Sequence, residues 1–168
     1  DLHEWRFQSK KRQKLLYALK TARKVVVINQ KNCDDLIAEG VDAARIAVIP
    51  QGVDLARFTP GPARLRDELE AGLECDKILL CIANHYHVKG IDRLLAALRH
   101  TKMHIGVCLI GDGPLRSDYE TYVEEHGLSK RVKFLGQQDP DCIPHLIQSA
   151  DGLVIPSRRE GGPSVLLE

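Results

Sequence analysis

The stretch Ile78–Ala83 (Ile-Leu-Leu-Cys-Ile-Ala) decides the fold class, because it places six apolar residues in a row. A strand covered on both faces reads as such an unbroken run, whereas a strand with one wet face alternates. Three further candidate strands follow it: Ile105–Ile110, Val132–Leu135 and Leu153–Ile155. Helical patterns separate these strands. This alternation predicts an α/β fold with a doubly wound parallel sheet.

The helices between these strands are indicated by apolar spacing and by end signals. Asp92 is expected to cap the first, and Gly127 to close the second. The third, Pro140–Ser149, carries proline in its first turn. The first half of the chain has weaker patterns, which predict strands at Val25–Ile28 and Ile46–Ile49, a helix capped by Asn32 and running to Glu39, and a helix at Arg64–Leu73.

The loops that follow the strands hold the first candidate binding residues, because parallel sheets bind ligands at the carboxyl ends of their strands. Lys89 can meet a diphosphate as a point charge, or be an ordinary surface lysine. Gly111 opens a loop that begins like a dinucleotide fingerprint, but Arg116 stands where the third glycine belongs. That loop allows close ligand approach or forms a tight turn. Gly136 and Gln137 can present backbone groups to a nucleobase, or form an ordinary turn.

The last segment places two carboxylates eight positions apart, Glu160 and Glu168, around a glycine turn. Gly161 and Gly162 let backbone N–H groups approach a ligand closely. A helix predicted to begin near Ser164 would offer phosphate its unpaired N–H groups. Glu160 can then accept hydrogen bonds from hydroxyls, and Glu168 from a diol such as that of ribose. The alternative is a plain turn with two solvated glutamates.

Composition is ordinary for a globular protein: 168 residues, 43% apolar and 28% charged. No apolar stretch approaches the roughly 20 residues of a membrane span. The five cysteines form no C-x-x-C pair, which favours a reduced, cytoplasmic setting over a disulfide framework. His85 and His87 have no third ligand at useful spacing, so no metal site is expected.

Charge is unevenly distributed along the chain. Residues 1–31 hold nine Lys or Arg and two Asp or Glu, against fifteen and twenty-one in the remainder. The basic residues alternate with leucines at helical spacing, which predicts an amphipathic helix. A solvated helix face is the default interpretation. A peripheral contact with anionic lipid is the alternative, and nucleic acid is not expected to be a partner.

Taken together and in order, these motifs resemble the donor-binding half of the retaining GT-B glycosyltransferases of group 1 (glycosyltransferase family 4). The resemblance covers about residues 20–168. Its motifs are Val48–Asp54 with Phe58, Lys89-Gly90, Leu109–Pro114, Val132–Gly136, Pro156-Ser157 and the two-glutamate segment Glu160–Glu168. It implies a Rossmann-like doubly wound sheet that forms one half of a GT-B fold.

The resemblance also implies roles for individual residues. Lys89 should bind the donor diphosphate. Glu160, the candidate catalytic residue, should meet the donor sugar, and Glu168 the ribose. The remaining donor-binding candidates should present backbone groups to sugar, phosphate or base: Gly111, Gly136, Gln137, Gly161, Gly162 and Ser164.

Three positions in two motifs depart from the family pattern. Gln51 stands where asparagine is usual. Ala83-Asn84 stands where the family commonly has Gly-Arg, whose arginine pairs with the diphosphate. Asn84 is kept as a donor-binding candidate, but it brings no charge. His85 and Arg158 are the neighbours considered as substitutes for that charge.

The sequence therefore predicts a truncated piece of a longer enzyme. Residues 1–50 are assigned to the tail of an N-terminal acceptor-side domain and the interdomain segment, and residues 51–168 to the nucleotide-sugar-binding domain. The parent is expected to be a hexosyltransferase of polysaccharide biosynthesis, moving a hexose from a UDP-, GDP- or ADP-sugar to a glycan or lipid-linked acceptor. No cofactor is expected, and the isolated piece should be inactive.

Two alternatives remain open at this point. One is a non-catalytic nucleotide-sugar-binding module or degenerate paralogue, which Asn84 favours. The other is a nucleotide-sugar epimerase of similar architecture, although no pair of glutamates spaced like Glu160 and Glu168 is expected there.

Overall fold

The computed structural model describes residues 9–168, so the first eight residues of the predicted 1–50 segment lie outside the described residues. The chain divides into two compact units. The smaller unit contains residues 9–53 together with Gly161–Leu167, and the larger unit contains Asp54–Glu160 together with Glu168. The assignment of 1–50 and 51–168 to two domains of a longer protein stays a prediction.

The smaller unit is built on two parallel strands, β1 (Val25–Val27) and β2 (Ile46–Val48). Helices α1 (Ser9–Thr21) and α2 (Gln30–Ala38) accompany them. The alternate residues Val25 and Val27 are buried with apolar side chains of α2 and of the segment after it: Cys33, Leu36 and Val41. One face of this small sheet therefore forms the unit's core.

Helix α2 begins earlier than the sequence predicts. Asn29, and not Asn32, is its N-cap, because the Asn29 side chain accepts a hydrogen bond of 2.8 Å from the Asn32 backbone N–H. An extended Asn with this bond satisfies one of the unpaired donors of the first turn. Gly40 lies just past the helix with φ +84°, as expected for a helix end.

The larger unit holds a four-stranded parallel sheet in the order β5-β4-β3-β6. In chain order its elements are α3 (Arg66–Glu70), β3 (Lys77–Ile82), α4 (Ile91–His100), β4 (Ile105–Ile110), α5 (Arg116–Glu125), β5 (Val132–Gly136), α6 (Ile143–Ser149) and β6 (Gly152–Leu153). The doubly wound α/β fold predicted from the apolar runs is confirmed.

Both faces of the central strands are buried, which explains their unbroken apolar sequence. Side chains alternate between the faces of a strand. Ile78 and Leu80 of β3 therefore pack toward α3 and α6, together with Cys108 and Ile110 of β4. The intervening Cys81 packs toward α4 and α5, on the opposite face. Two separate cores thus cover the sheet.

Further helix boundaries also differ from the sequence-based expectation. The predicted helix Pro140–Ser149 is a 3-10 turn, Pro140–Cys142, followed by α6. Gly90 is the N-cap of α4, with φ +67°, so Asp92 lies inside the first turn and does not cap it. Helix α3 is shorter than the predicted Arg64–Leu73. The predicted phosphate-binding helix near Ser164 is a single 3-10 turn, Ser164–Leu166. One turn lacks the aligned peptide dipoles of a long helix, so it attracts phosphate less strongly than the predicted helix would.

The strand order reverses at β3. From β3 the chain moves outward to β4 and β5, and then returns to place β6 on the other side of β3. The segments that leave the carboxyl ends of β3 and β6 therefore lie side by side at this reversal. Open α/β sheets bind ligands in the crevice at such a switch point.

Candidate functional site

The candidate site is a cavity of about 390 Å³ at the carboxyl edge of the larger unit's sheet. Strand ends and the loops after them line it: Ile82, Ala83, Asn84, Lys89, Ile110, Gly111, Gln137, Gln138 and Ile143. Four predicted donor-binding residues meet here, namely Asn84, Lys89, Gly111 and Gln137. The isoleucines provide an apolar floor, and the amides and Lys89 add polar groups, as is usual in small-molecule sites.

Gly111 is required where the loops after β3 and β4 pass each other. Its φ is +123°, and a Cβ there would lie 2.2 Å from the carbonyl oxygen of Ala83. Its backbone N–H donates to the carbonyl of Gly136 at 2.8 Å, which ties the loop after β4 to the end of β5. Gly136 itself has φ +68°. Both glycines therefore hold the edge of the cavity in a form that other residues would disturb.

Lys89 is presented by a tight turn, His87–Lys89, that leads into α4. Gly90 closes this turn, and a Cβ at Gly90 would lie 2.2 Å from the carbonyl oxygen of Pro156. The segment that follows β6 is thus packed directly against the turn that carries Lys89. Only glycine fits this contact, which accounts for the Lys-Gly pair.

Glu160 meets Lys89 across the switch point. The Lys89 Nζ lies 2.8 Å from Glu160 Oε1, and the Ser157 hydroxyl donates to the same oxygen at 2.6 Å. Burial raises the pKa of Glu160, but the hydrogen bonds from Lys89 and Ser157 outweigh burial and lower it overall. Glu160 is therefore a carboxylate at neutral pH, able to accept hydrogen bonds but not to donate a proton.

Neither substitute considered for the missing arginine charge is available to a ligand as a free cation. Arg158 binds the Asp92 carboxylate through both terminal nitrogens. His85 is fully buried between Tyr119 and Phe134, and burial lowers its pKa, so it is neutral at pH 7. Neither neighbour thus replaces the positive charge that the family pattern has at position 84.

The glycine turn belongs to the smaller unit. Asn29 donates its side-chain N–H to the Gly161 carbonyl at 2.8 Å, and Gly162 has φ +146°. Ser164 begins the 3-10 turn. Glu168 is grouped with the larger unit. The roles predicted for these four residues toward a ligand stay predictions.

Sequence reasoning did not identify three features of the cavity's surroundings. Ser157 shares Glu160 with Lys89, Gln138 lines the cavity, and Asp92 pairs with Arg158. Gln138 follows Gln137 in the same loop, so the position of that loop at a strand end also indicates Gln138 as a candidate. The Asp92–Arg158 pair joins residues 66 positions apart, so no local pattern could reveal it.

Within residues 9–168, no group of three or more His, Cys, Asp or Glu side chains is arranged to hold a metal ion. In the same residues, no helix has the length and apolar character needed to cross a bilayer.

Residues 67–168 match the family model described as Glycosyl transferases group 1. The chain belongs to this family. Its larger unit is accordingly the Rossmann-like half of a GT-B fold, as the motifs implied. The family match sets aside the epimerase alternative.

Curated relatives agree with this assignment. A putative glycosyltransferase, EpsF, of Bacillus subtilis is 32% identical over 76% of this chain and 34% of its own length. A D-inositol 3-phosphate glycosyltransferase of Corynebacterium urealyticum is 32% identical over 79% of this chain and 35% of its own. An Escherichia coli UDP-Gal:alpha-D-GlcNAc-diphosphoundecaprenol alpha-1,3-galactosyltransferase is 29% identical over 99% of this chain and 47% of its own. The chain thus spans a third to a half of these relatives.

Solved structures show the same fold. Anabaena HepE in complex with UDP and glucose superposes with a TM-score of 0.75 at 26% identity, covering 89% of this chain and 42% of HepE. Sucrose-phosphate synthase from Thermosynechococcus elongatus gives 0.73 at 29% identity, covering 89% of this chain and 39% of that protein.

Proposed function

We propose that this chain is the nucleotide-sugar-binding half of a glycosyltransferase that retains anomeric configuration. The whole protein would move a hexose from a UDP-, GDP- or ADP-sugar to a glycan or lipid-linked acceptor in polysaccharide assembly. The observation that carries the proposal is the pair of Lys89 and Glu160 beside the cavity, 2.8 Å apart. A cation that can bind phosphate thus lies next to a carboxylate that can accept hydrogen bonds from hydroxyls. This arrangement is complementary to a sugar nucleotide, in which phosphates adjoin a sugar.

Lys89 acts on the diphosphate in this proposal. As the bond between sugar and diphosphate breaks, negative charge grows on the leaving group, and a fixed cation stabilises it. Asn84 offers an amide to the same phosphates without charge. Gly111 and Gly136 keep the backbone close to the ligand, and Gln137 reads the base edge from the far side of the cavity.

Glu160 faces the donor sugar. Its lowered pKa keeps it ionised, so it can accept hydrogen bonds from sugar hydroxyls and stabilise positive charge developing on the sugar ring. Binding of a diphosphate to Lys89 would release Glu160 from its ion pair for this contact. The resemblance adds Gly161, Gly162 and Ser164 as backbone donors and Glu168 as the ribose contact, and these four are part of the proposal.

The setting of the whole protein is proposed on the same basis. With Lys89 on the phosphates we expect no metal requirement and no cofactor. We propose a cytoplasmic location, which is supported by the proposed use of nucleotide sugars and by the five free cysteines. The basic helix α1 would bring the protein to an anionic lipid surface, where a lipid-linked acceptor lies.

Asn84 favours a second candidate function, a module that binds nucleotide sugar but turns nothing over. The cavity keeps Lys89, yet it has an amide where the resemblance implies a second cation. Ligand binding alone does not separate this candidate from the first, so transfer by the longer protein is the deciding measurement.

Calorimetric or ligand-observed NMR titration with UDP, GDP and ADP tests the binding proposal. Lys89→Ala should weaken binding of the preferred nucleotide by about 1.5–3 kcal/mol, the usual size for a hydrogen bond to a charged group. Lys102→Ala is the matched control, because Lys102 is an exposed lysine of the loop between α4 and β4. It should leave the affinity unchanged.

Equal affinities of the wild-type chain and Lys89→Ala would contradict the assignment of the diphosphate site. Equal losses in both lysine variants would point to non-specific attraction by overall charge. Failure of all three nucleotides to bind would remove the nucleotide-sugar proposal for this chain.

A further inference from the structure

Arg158 makes several contacts with the turn that carries Lys89, although it does not line the cavity. Its backbone N–H donates to the Val88 carbonyl at 2.8 Å. Its guanidinium donates to the His87 carbonyl at 2.7 Å. Two of the three residues in the Lys89 turn are therefore hydrogen-bonded to Arg158.

The same guanidinium fixes the first turn of α4. One terminal nitrogen lies 2.7 Å from Asp92 Oδ1 and the other 2.5 Å from Oδ2, which is a two-pronged ion pair. The Arg158 side chain is 21% exposed, so the pair is partly shielded from water. This geometry depends on the planar fork of arginine, which a lysine cannot reproduce.

These contacts bracket Lys89 along the chain, since His87 precedes it and Asp92 follows it. Arg158 also lies two residues before Glu160, which receives the Lys89 ammonium. A closed ring of contacts thus runs from Lys89 to Glu160, along the backbone to Arg158, and back to the Lys89 turn. Arg158 joins the two sides of the switch point.

We propose that Arg158 is a positioning residue of the diphosphate site: it touches no ligand, and it holds Lys89 and Glu160 in register. This inference rests on the proposed function. It accounts for a guanidinium beside the cavity that is committed to Asp92 and backbone carbonyls. With Asn84 uncharged, accurate placement of Lys89 matters more for phosphate binding.

The test is a thermodynamic cycle between Arg158→Met and Lys89→Ala, read by titration with UDP and with uridine. Where GDP or ADP binds the wild-type chain more tightly, that diphosphate and its nucleoside take their place. Arg158→Met should weaken UDP about tenfold, the size expected for loss of one charge-assisted hydrogen bond. Uridine lacks the diphosphate, so its affinity should not change. In the Lys89→Ala background, Arg158→Met should cause no further loss. Arg158→Lys should restore less than half of the effect.

Other outcomes distinguish the positioning role of Arg158 from the proposed diphosphate site. Equal losses for UDP and uridine, or additive losses in the double variant, would overturn the positioning role and leave the diphosphate site standing. No effect of Lys89→Ala on UDP would overturn both. Asp92→Asn is a milder variant should Arg158→Met fail to fold, and it should weaken UDP with the same independence from uridine.

Discussion

Asn84 and Lys89 stand five positions apart in one loop, and both line the cavity. Lys89 is paired with Glu160, Arg158 is held by Asp92, and His85 is neutral. A diphosphate would therefore meet one amide and one lysine from this loop. At the scale of single residues, we therefore expect the charge at position 84 to control the affinity of the proposed site for phosphate.

Asn84→Arg should tighten UDP binding by about tenfold, because a guanidinium at the cavity wall adds a charge-assisted hydrogen bond to phosphate. Uridine should bind as before. Asn84→Gln, which lengthens the side chain without adding charge, is the matched control for size. Calorimetry of the three proteins measures the difference. An affinity for UDP that stays flat in Asn84→Arg would mean that position 84 does not face the phosphates.

At the scale of elements, His85 connects the loops that leave β3 and β4. Its backbone N–H donates to the Asp112 carbonyl at 2.8 Å, and its own carbonyl accepts from Leu115 at 3.2 Å. A Cβ at Gly113 would collide with the His85 backbone. Both nitrogens of the buried ring and the Tyr119 hydroxyl lack a hydrogen-bond partner within residues 9–168. An imidazole in such a place is stable only when neutral.

The pKa of His85 makes the stability of this region pH-dependent. Burial lowers this pKa below 6.5, Asp112 and Glu120 oppose the shift, and Arg116 adds to it. Below about pH 6.5, His85 therefore binds a proton more readily in the unfolded chain than in the folded chain. The free energy of unfolding falls as pH falls for this reason. His85→Leu should remove this part of the loss. At about pH 7.5 it should cost little, since it replaces an unpartnered polar ring with an apolar group.

Chemical denaturation at about pH 7.5 and about pH 5 measures the effect. Tyr119→Phe is the control, because it removes the neighbouring buried hydroxyl but no group that titrates in this range. It should shift the free energy of unfolding equally at both pH values. The same pH dependence in His85→Leu and in the wild-type chain would assign the loss to other groups.

Element existence followed from the sequence more reliably than element boundaries. The run Ile78–Ala83 predicted a strand buried on both faces, because such strands read as unbroken apolar runs, and the structure has β3 at Lys77–Ile82. Asp92 was expected to cap α4, but its carboxylate is taken by Arg158 and Gly90 begins the helix. The predicted helix near Ser164 is one 3-10 turn. A residue that could cap a helix locally can instead bind a partner far along the chain, and the sequence does not show which of the two occurs.

At the scale of the molecule, the candidate site was predictable to the extent that it lies at strand ends. Asn84, Lys89, Gly111 and Gln137 follow three different strands, and parallel pairing brings all of them to one cavity. The contact between Lys89 and Glu160 required the position of β6, because it depends on the return of the chain to the far side of β3. The sequence predicts a strand at Leu153–Ile155, close to β6 (Gly152–Leu153), but it does not show that this strand pairs with β3.

The chain spans a third to a half of its curated relatives, and sugar transfer needs donor, acceptor and catalytic groups held together, which supplies much of the rate. We expect the 168-residue chain to bind the preferred nucleoside diphosphate but to transfer no sugar. The longer protein that contains it should transfer, and Glu160→Gln in that protein should abolish transfer while leaving nucleotide binding intact. A radiolabelled-donor assay beside a nucleotide titration measures both. Transfer by the 168-residue chain alone would place the acceptor site within it, and slow donor hydrolysis would not.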